Sequence, residues 1–285
     1  MKNLVNYSRL IKFEHTLFAM PFALIGFFMA IRENPSMLSL KLLLLVILCM
    51  VFARNAAMGF NRFLDREFDK INPRTALREI PAGILNPKSV LNFVILNAVF
   101  FMLATWFINP LCFYLSPVAL FVILFYSYTK RFTALCHFVL SLGLAIAPVG
   151  AYLAVTGKFD WLPVFIGMIV FFWASGFDII YALQDEGFDK ENQLKSIPTY
   201  FGKKKALTIS RVIHFISAVF VLIVATYSNS GWIHWLGSAI FILLLFYQHT
   251  LVKHDNLKKV NLAFFTSNGV ASVVYGTLVI LDIWI

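Results

Sequence analysis

Apolar runs long enough to cross a lipid bilayer recur along almost the whole chain, and no other feature restricts the fold as tightly. Nine can be marked, at about 16–32, 39–60, 89–108, 111–129, 133–155, 162–183, 206–227, 231–251 and 261–283. Each has roughly the 17–25 residues a helix needs to span the hydrocarbon core. A backbone N–H or C=O inside lipid finds no water, so helices, whose hydrogen bonds close internally, are the expected form. Composition agrees: 60% of residues are hydrophobic and 13% charged, against about a quarter charged in soluble domains. Pro21, Pro117 and Pro148 fall inside spans, where neighbouring helices satisfy the carbonyls that proline frees. The first run begins near Leu17 with no small-residue cleavage pattern after it, so it is expected to be a retained helix and not a signal peptide. Cys49, Cys112 and Cys136 lie in apolar runs without metal-ligand spacing and read as small core or lipid-facing residues.

The connecting segments divide sharply by charge. Of 24 lysines and arginines, Arg32, Lys41 and Lys158 fall on one side, Arg54 lies inside the second span, and the other 20 share the side of the N-terminus. Positive charge stays in the cytoplasm, so the N-terminus is expected there and, with nine spans, the C-terminus outside. The net charge of +10 then belongs to cytoplasmic loops and calls for no nucleic acid. No soluble domain or low-complexity linker interrupts the pattern. The expectation is one polytopic all-α domain over 1–285, a multi-pass protein of the cell's inner, cytoplasmic membrane, in contact with lipid and needing no protein partner.

Two of the cytoplasmic loops carry the same octapeptide frame, D-x-x-F-D-K-x-N: DREFDKIN at 65–72 and DEGFDKEN at 185–192. Each follows an even-numbered span, which suggests two related helical halves. On a helix, residues four apart share a face. Asp65 and Asp69 are expected to align, as are Asp185 and Asp189, and the stripes run back into the membrane through Asn61, Met58 and Arg54, and through Tyr181 or Ala182 and Asp178. An ionisable group at membrane depth costs roughly 2.5–3.5 kcal/mol or more, so it faces a polar cavity or a partner. Four carboxylates converging at the cytoplasmic mouth would repel one another unless cations lay between them. Mg2+ suits such oxygen ligands and binds through one or two carboxylates plus substrate phosphates. Zinc is disfavoured because no His or Cys accompanies them. Two clusters suggest two ions bridged by a diphosphate. Arg74, Arg78, Lys130, Arg131, Lys195 and Lys12 lie nearby and supply forks and point charges for its oxygens. His15 is a candidate for the cavity mouth. The main rival is a transporter that uses Asp178 and Arg54 as substrate or ion contacts; clustering of the carboxylates at one mouth, away from the midplane, weighs against it.

These residues together resemble the UbiA family of intramembrane aromatic prenyltransferases across nearly the whole length. Asn61, Asp65 and Asp69 match its N-x-x-x-D-x-x-x-D motif. PRTALREIPAG at 73–83 is similar to its R-T-x-x-R-P-L-P-x-G loop, and FYSYTKRFT at 125–133 resembles a Y-x-x-x-K-R segment of the 4-hydroxybenzoate branch. FDIIYALQDEGFD at 177–189, followed by Lys195-Ser196, corresponds to the second motif. Asn61-Arg62 stands where many quinone-pathway members have Asn-Asp. The resemblance implies about nine helices around a central cavity, Mg2+, a polyprenyl diphosphate donor and an aromatic acid acceptor. The acceptor is expected to be 4-hydroxybenzoate, or a dihydroxynaphthoate of menaquinone synthesis. Asp65, Asp69, Asp185 and Asp189, with Asn61, are expected to hold metal. Arg74, Arg78, Lys130, Lys195 and Lys12 are expected to hold the diphosphate, and Arg54 and Tyr181 the acceptor. Asp178, or a motif carboxylate such as Asp65 or Asp185 freed from metal, is expected to remove the ring proton.

Overall fold

The computed structural model of the chain describes residues 2–11 and 16–285, with side chains from 5–11 and 18–285. The elements in order are α1 (Lys2–Ile11), α2 (Thr16–Glu33), α3 (Leu40–Leu64), α4 (Arg66–Ile71), α5 (Pro87–Trp106), α6 (Pro110–Thr129), α7 (Cys136–Thr156), α8 (Trp161–Ala182), α9 (Glu186–Glu191), α10 (Ile197–Tyr227), α11 (Trp232–Leu251) and α12 (Asn268–Trp284). A π-helical turn, Leu262–Ser267, leads into α12. Among the described residues there is no β-strand. Eight segments of these residues are long and apolar enough to cross a membrane: α3, α5, α6, α7, α8, α10, α11 and Leu262–Trp284. The first expected span coincides with α2, whose first two side chains lie outside the described set. The chain is a multi-pass membrane protein.

Most expected spans hold to within a few residues, with two exceptions. α3 runs on to Leu64, and α10 carries an extra turn from Ile197 that a kink at Gly202 (φ 77°, ψ 162°) separates from the spanning helix, which itself begins close to the expected 206. The early start of α10 comes from its cap. The Ser196 side chain accepts from Thr199 N–H while the Thr199 side chain returns a bond to Ser196, and Pro198 sits in the first turn. α1 is likewise helical, and Leu10, fully buried, packs with Ile80, Leu85 and Val90.

α8 lies at the centre. Trp173 is buried among Phe18, Phe22, Phe177 and Phe241 and donates from Nε1 to Asn268 Oδ1 on α12 at 2.8 Å. α2 crosses α7 at Gly26, where a Cβ would stand 2.2 Å from the Pro148 carbonyl oxygen. In lipid no hydrophobic force drives helices together, so close approach at small residues and the packing it allows carry the association. Leu44, Leu48, Ile95, Leu103, Val118 and Phe121 are exposed, as residues bathed in lipid should be.

Both octapeptides form the same elbow. α3 ends at Leu64, Asp65 takes φ −88°, ψ 3°, and the short α4 follows. α8 ends at Ala182, Asp185 takes φ −99°, ψ 0°, and the short α9 follows. The continuous helical stripe expected from the spacing is therefore broken at the first aspartate of each motif. A ψ near zero redirects the chain while the i→i−4 bond that opens each short helix forms, Asp69 N to Asp65 O and Asp189 N to Asp185 O both at 2.8 Å. The two halves present their carboxylates from matching corners.

Candidate active site

Asp65 is 3% exposed and is held by three donors. Lys130 Nζ lies 2.9 Å from Oδ2, Arg131 Nη2 3.0 Å from Oδ1, and Asn61 Nδ2 donates to Oδ2 at 3.1 Å. Lys130 and Arg131 come from the end of α6, and both stand over the ring of Phe68, the phenylalanine of the repeated frame. Arg131 is fixed further by Ser127 O at 2.8 Å. Asp69 turns the other way. Its Oδ1 meets Arg78 Nη1 at 2.6 Å, and its Oδ2 is buried without a hydrogen-bond partner.

The loop after α4 carries the arginines because its own polar groups fold it back. Asn72 Oδ1 accepts from Arg74 N–H at 2.9 Å, and Thr75 Oγ1 donates to Asp69 O at 3.1 Å. Gly83, at φ 73°, takes the left-handed turn that ends the loop. Arg74 thereby reaches the second motif. Its Nε donates to Asp185 Oδ1 at 2.8 Å, its Nη2 pairs with Asp185 Oδ2, and its Nη1 donates to the Tyr181 hydroxyl at 3.1 Å. Asn72 Nδ2 also approaches Asp185 Oδ1, at 3.4 Å. The two motifs, 120 residues apart in sequence, are thus joined by Arg74 and Asn72.

Charge balance differs between the carboxylates. Asp189 makes no side-chain hydrogen bond or ion pair among the described residues. Burial raises its pKa to about 6, with the Asp185 charge adding to the rise and Lys130 and Arg74 opposing it. Burial disfavours the charged Arg74, but the hydrogen bond and charge of Asp185 outweigh it, and the net shift is upward. Among the described residues no three carboxylates gather into one cluster. Asp65, Asp69 and Asp185 each bind their own cations, an arrangement that relieves their mutual repulsion.

Other expected residues divide. Asp178 faces His137, Nδ1 to Oδ2 at 2.7 Å. Arg54 is half-buried in α3, and its Nε and Nη2 are buried without a partner. Tyr181, expected beside the acceptor, accepts from Arg74 and packs its ring 4.3 Å from that of Phe264. Lys195, expected on the diphosphate, points its ammonium at Phe132 O (3.2 Å), while its backbone N–H donates to Lys130 O at 2.7 Å. It ties the second-motif loop to the end of α6. Lys12 and His15 lie outside the described residues. Sequence reasoning missed His137, Asn72 and Tyr126. Asn72 had a signal, as the last residue of the repeated frame. A lone His at the start of an apolar run has none.

Comparison with known proteins adds to this geometry. The chain matches the UbiA prenyltransferase family over residues 19–269. A 4-hydroxybenzoate octaprenyltransferase of Polynucleobacter asymbioticus is 33% identical over 220 residues, 73% of this chain and 74% of that protein. The apo structure of a UbiA homologue from Aeropyrum pernix K1 superposes with a TM-score of 0.85 at 26% identity, covering 94% of this chain and 98% of that one. A UbiA homologue from Archaeoglobus fulgidus, bound to DMAPP and Mg2+, superposes with a TM-score of 0.76 at 22% identity, over 98% and 99% of the two chains. The family match runs through both acidic elbows and the helices that carry them, and the chain belongs to the UbiA prenyltransferase family.

Proposed function

We propose that this protein transfers a polyprenyl group from a polyprenyl diphosphate to an aromatic acid, 4-hydroxybenzoate, in quinone synthesis. One observation carries the reading: Arg74 spans from the first motif's loop to Asp185 of the second, so both acidic corners and four basic side chains bound one site. The activity in the names of curated relatives supports prenyl transfer to this acceptor. The site faces the cytoplasm in this reading, because the basic loops cluster at its end of the bundle.

The residues fit Mg2+. The donors are carboxylates and an amide, Asp69 Oδ2 is buried and unpartnered, and Asp189 is not engaged by a basic side chain. Asp65, Asp69, Asp185 and Asp189, with Asn61, would hold it. When bound, Mg2+ neutralises diphosphate oxygens and lowers the cost of the charge that grows on them. A protein of this fold holds DMAPP with Mg2+.

The chain's own groups account for the remaining steps. Arg74 and Arg78 are forks that can exchange a carboxylate for phosphate oxygens, and Lys130 and Arg131 line the same wall. The C–O bond of the donor breaks with its electron pair leaving on the diphosphate. The allylic carbon becomes cation-like, and the apolar interior keeps water from capturing it. The aromatic ring attacks ortho to its hydroxyl, forming the C–C bond. Asp178 then takes the ring proton. Arg54 pairs with the acceptor's carboxylate, which satisfies a guanidinium otherwise buried unpaired. The prenyl tail lies toward the lipid and never enters water.

The test is a membrane assay. Expressing membranes receive an allylic diphosphate, Mg2+ and either 4-hydroxybenzoate or a dihydroxynaphthoate, with a chelator control, and products are weighed by mass spectrometry. Mg2+-dependent prenylated 4-hydroxybenzoate is expected. Product from the naphthoate alone would move the enzyme to menaquinone synthesis. No product from folded protein would return the transporter reading.

A further inference from the structure

Arg62 has no place in the reaction so far. It lies in the last turn of α3, next to Asn61, and is 6% exposed. Its Nε is buried without a partner, and among the described residues its guanidinium makes no hydrogen bond or ion pair. A guanidinium kept from water and left unpaired is costly, and a protein retains one when something else completes it.

Its neighbours indicate what that is. The ionisable groups near enough to act on its charge are Arg78, Asp69, Tyr126 and Glu79. Asp69 is already taken by Arg78 through Oδ1, so Arg62 stands beside a carboxylate without binding it. Tyr126, on α6, is near enough to feel the charges of Asp65, Arg62 and Arg54 together. Along α3 and its elbow Arg62 lies between Arg54, at the acceptor end, and Asp65 and Asp69, at the metal end. Along this wall Arg54, Arg62, Arg78, Lys130 and Arg131 outnumber Asp65, Asp69 and Glu79. The surplus is cationic and at most half-exposed, with Arg62 itself buried, which asks for an anion.

We propose that Arg62 is a diphosphate-binding residue that contacts the phosphate nearest the breaking C–O bond. The inference rests on the prenyl-transfer reading. The reacting carbon must lie between the aromatic ring and the diphosphate, so a cation between the two ends meets the oxygen that receives the electron pair. Arg62 gains and loses no proton in this step. It stabilises charge that is larger in the transition state than in the bound donor, and so acts on turnover as well as on binding.

The experiment uses the full-length protein in detergent or nanodiscs. Affinity is measured for inorganic diphosphate, for an allylic analogue with sulfur at the scissile position, and for 4-hydroxybenzoate. The proteins are wild type, Arg62→Gln, Arg62→Lys and, as a control on the reading itself, Arg74→Gln. Arg62→Gln is expected to weaken the analogue roughly ten-fold and to lower kcat roughly 100-fold, with 4-hydroxybenzoate affinity unchanged. Arg62→Lys keeps the charge without the fork and should recover part of both. If Arg62→Gln fails to fold, the lysine variant still gives the comparison, and wild-type analogue affinity and kcat in it would overturn the inference. Wild-type diphosphate binding in Arg62→Gln, or loss confined to the aromatic acid, would overturn it while a weakened Arg74→Gln left the prenyl-transfer reading standing. Failure of wild type to bind either diphosphate probe would remove that reading and the inference with it.

Discussion

His137 Nδ1 lies 2.7 Å from Asp178 Oδ2, and its Nε2 accepts from the Ile197 backbone N–H at 3.3 Å. The backbone donor requires Nε2 to be unprotonated, so the ring's proton is on Nδ1 and is given to Asp178. His137 is buried while Asp178 keeps some access. The helix start at Ile197 therefore orients the imidazole, and the imidazole orients the carboxylate, the geometry that a base for the ring proton would need in the proposed reaction.

Asp178→Asn is accordingly expected to lower kcat by roughly 100-fold or more, the ordinary share of a general base, with substrate affinities little changed. His137 is a positioning residue. His137→Ala should cost less than Asp178→Asn and shift the acid limb of the kcat profile. His137→Asn, whose amide can replace Nδ1–H, should recover part of the loss. Equal rates in His137→Ala and wild type would remove the dyad from the mechanism.

Asp65→Asn and Asp185→Asn should both abolish turnover, but for stability they should differ. Asp65 is buried under Lys130 and Arg131, and neutralising it strands two cations; breaking a buried pair costs about 3–5 kcal/mol. Asp185 is more accessible, and its partner Arg74 is a third exposed. Thermal unfolding in detergent should show Asp65→Asn as the less stable of the two.

Arg74→Lys keeps a charge but cannot reach both Asp185 and Tyr181 as a fork. The KM for the prenyl diphosphate should rise about ten-fold, and the KM for the aromatic acid should stay near wild type. Arg54→Gln should do the reverse. Steady-state kinetics with each substrate varied in turn separates the two.

Chelation should remove turnover, and the Mg2+ requirement should depend on pH through Asp189. A carboxyl raised to about 6 is still protonated where ordinary carboxylates are not, and a proton there competes with metal. The half-saturating Mg2+ concentration should climb as pH falls below about 6 and level off above it. The sign for stability is opposite to that of a salt-bridged aspartate. The native state binds more protons than the unfolded chain between 3.8 and about 6, so stability falls as pH rises through that window. Mg2+ titrations near pH 5 and 7.5, on wild type and Asp189→Asn, test both; the variant should lose the pH dependence.

Lipid as solvent made much of this protein legible from sequence. The length of each apolar run, the one-sided distribution of Lys and Arg and the repeated D-x-x-F-D-K-x-N frame depend only on local order, and they made the all-helical, membrane-spanning class and the position of the acidic corners readable. What the sequence could not decide was which charge meets which. The elbows at Asp65 and Asp185 send Asp69 and Asp65 to different arginines, the loop fold carries Arg74 across to Asp185, and Lys195 is turned onto a carbonyl. His137 joins Asp178 only because α7 and α8 pack side by side. All of these pairings except Asp69 with Arg78 span 41 to 111 residues, and they follow from how whole helices pack, a property of the bundle that no local pattern encodes.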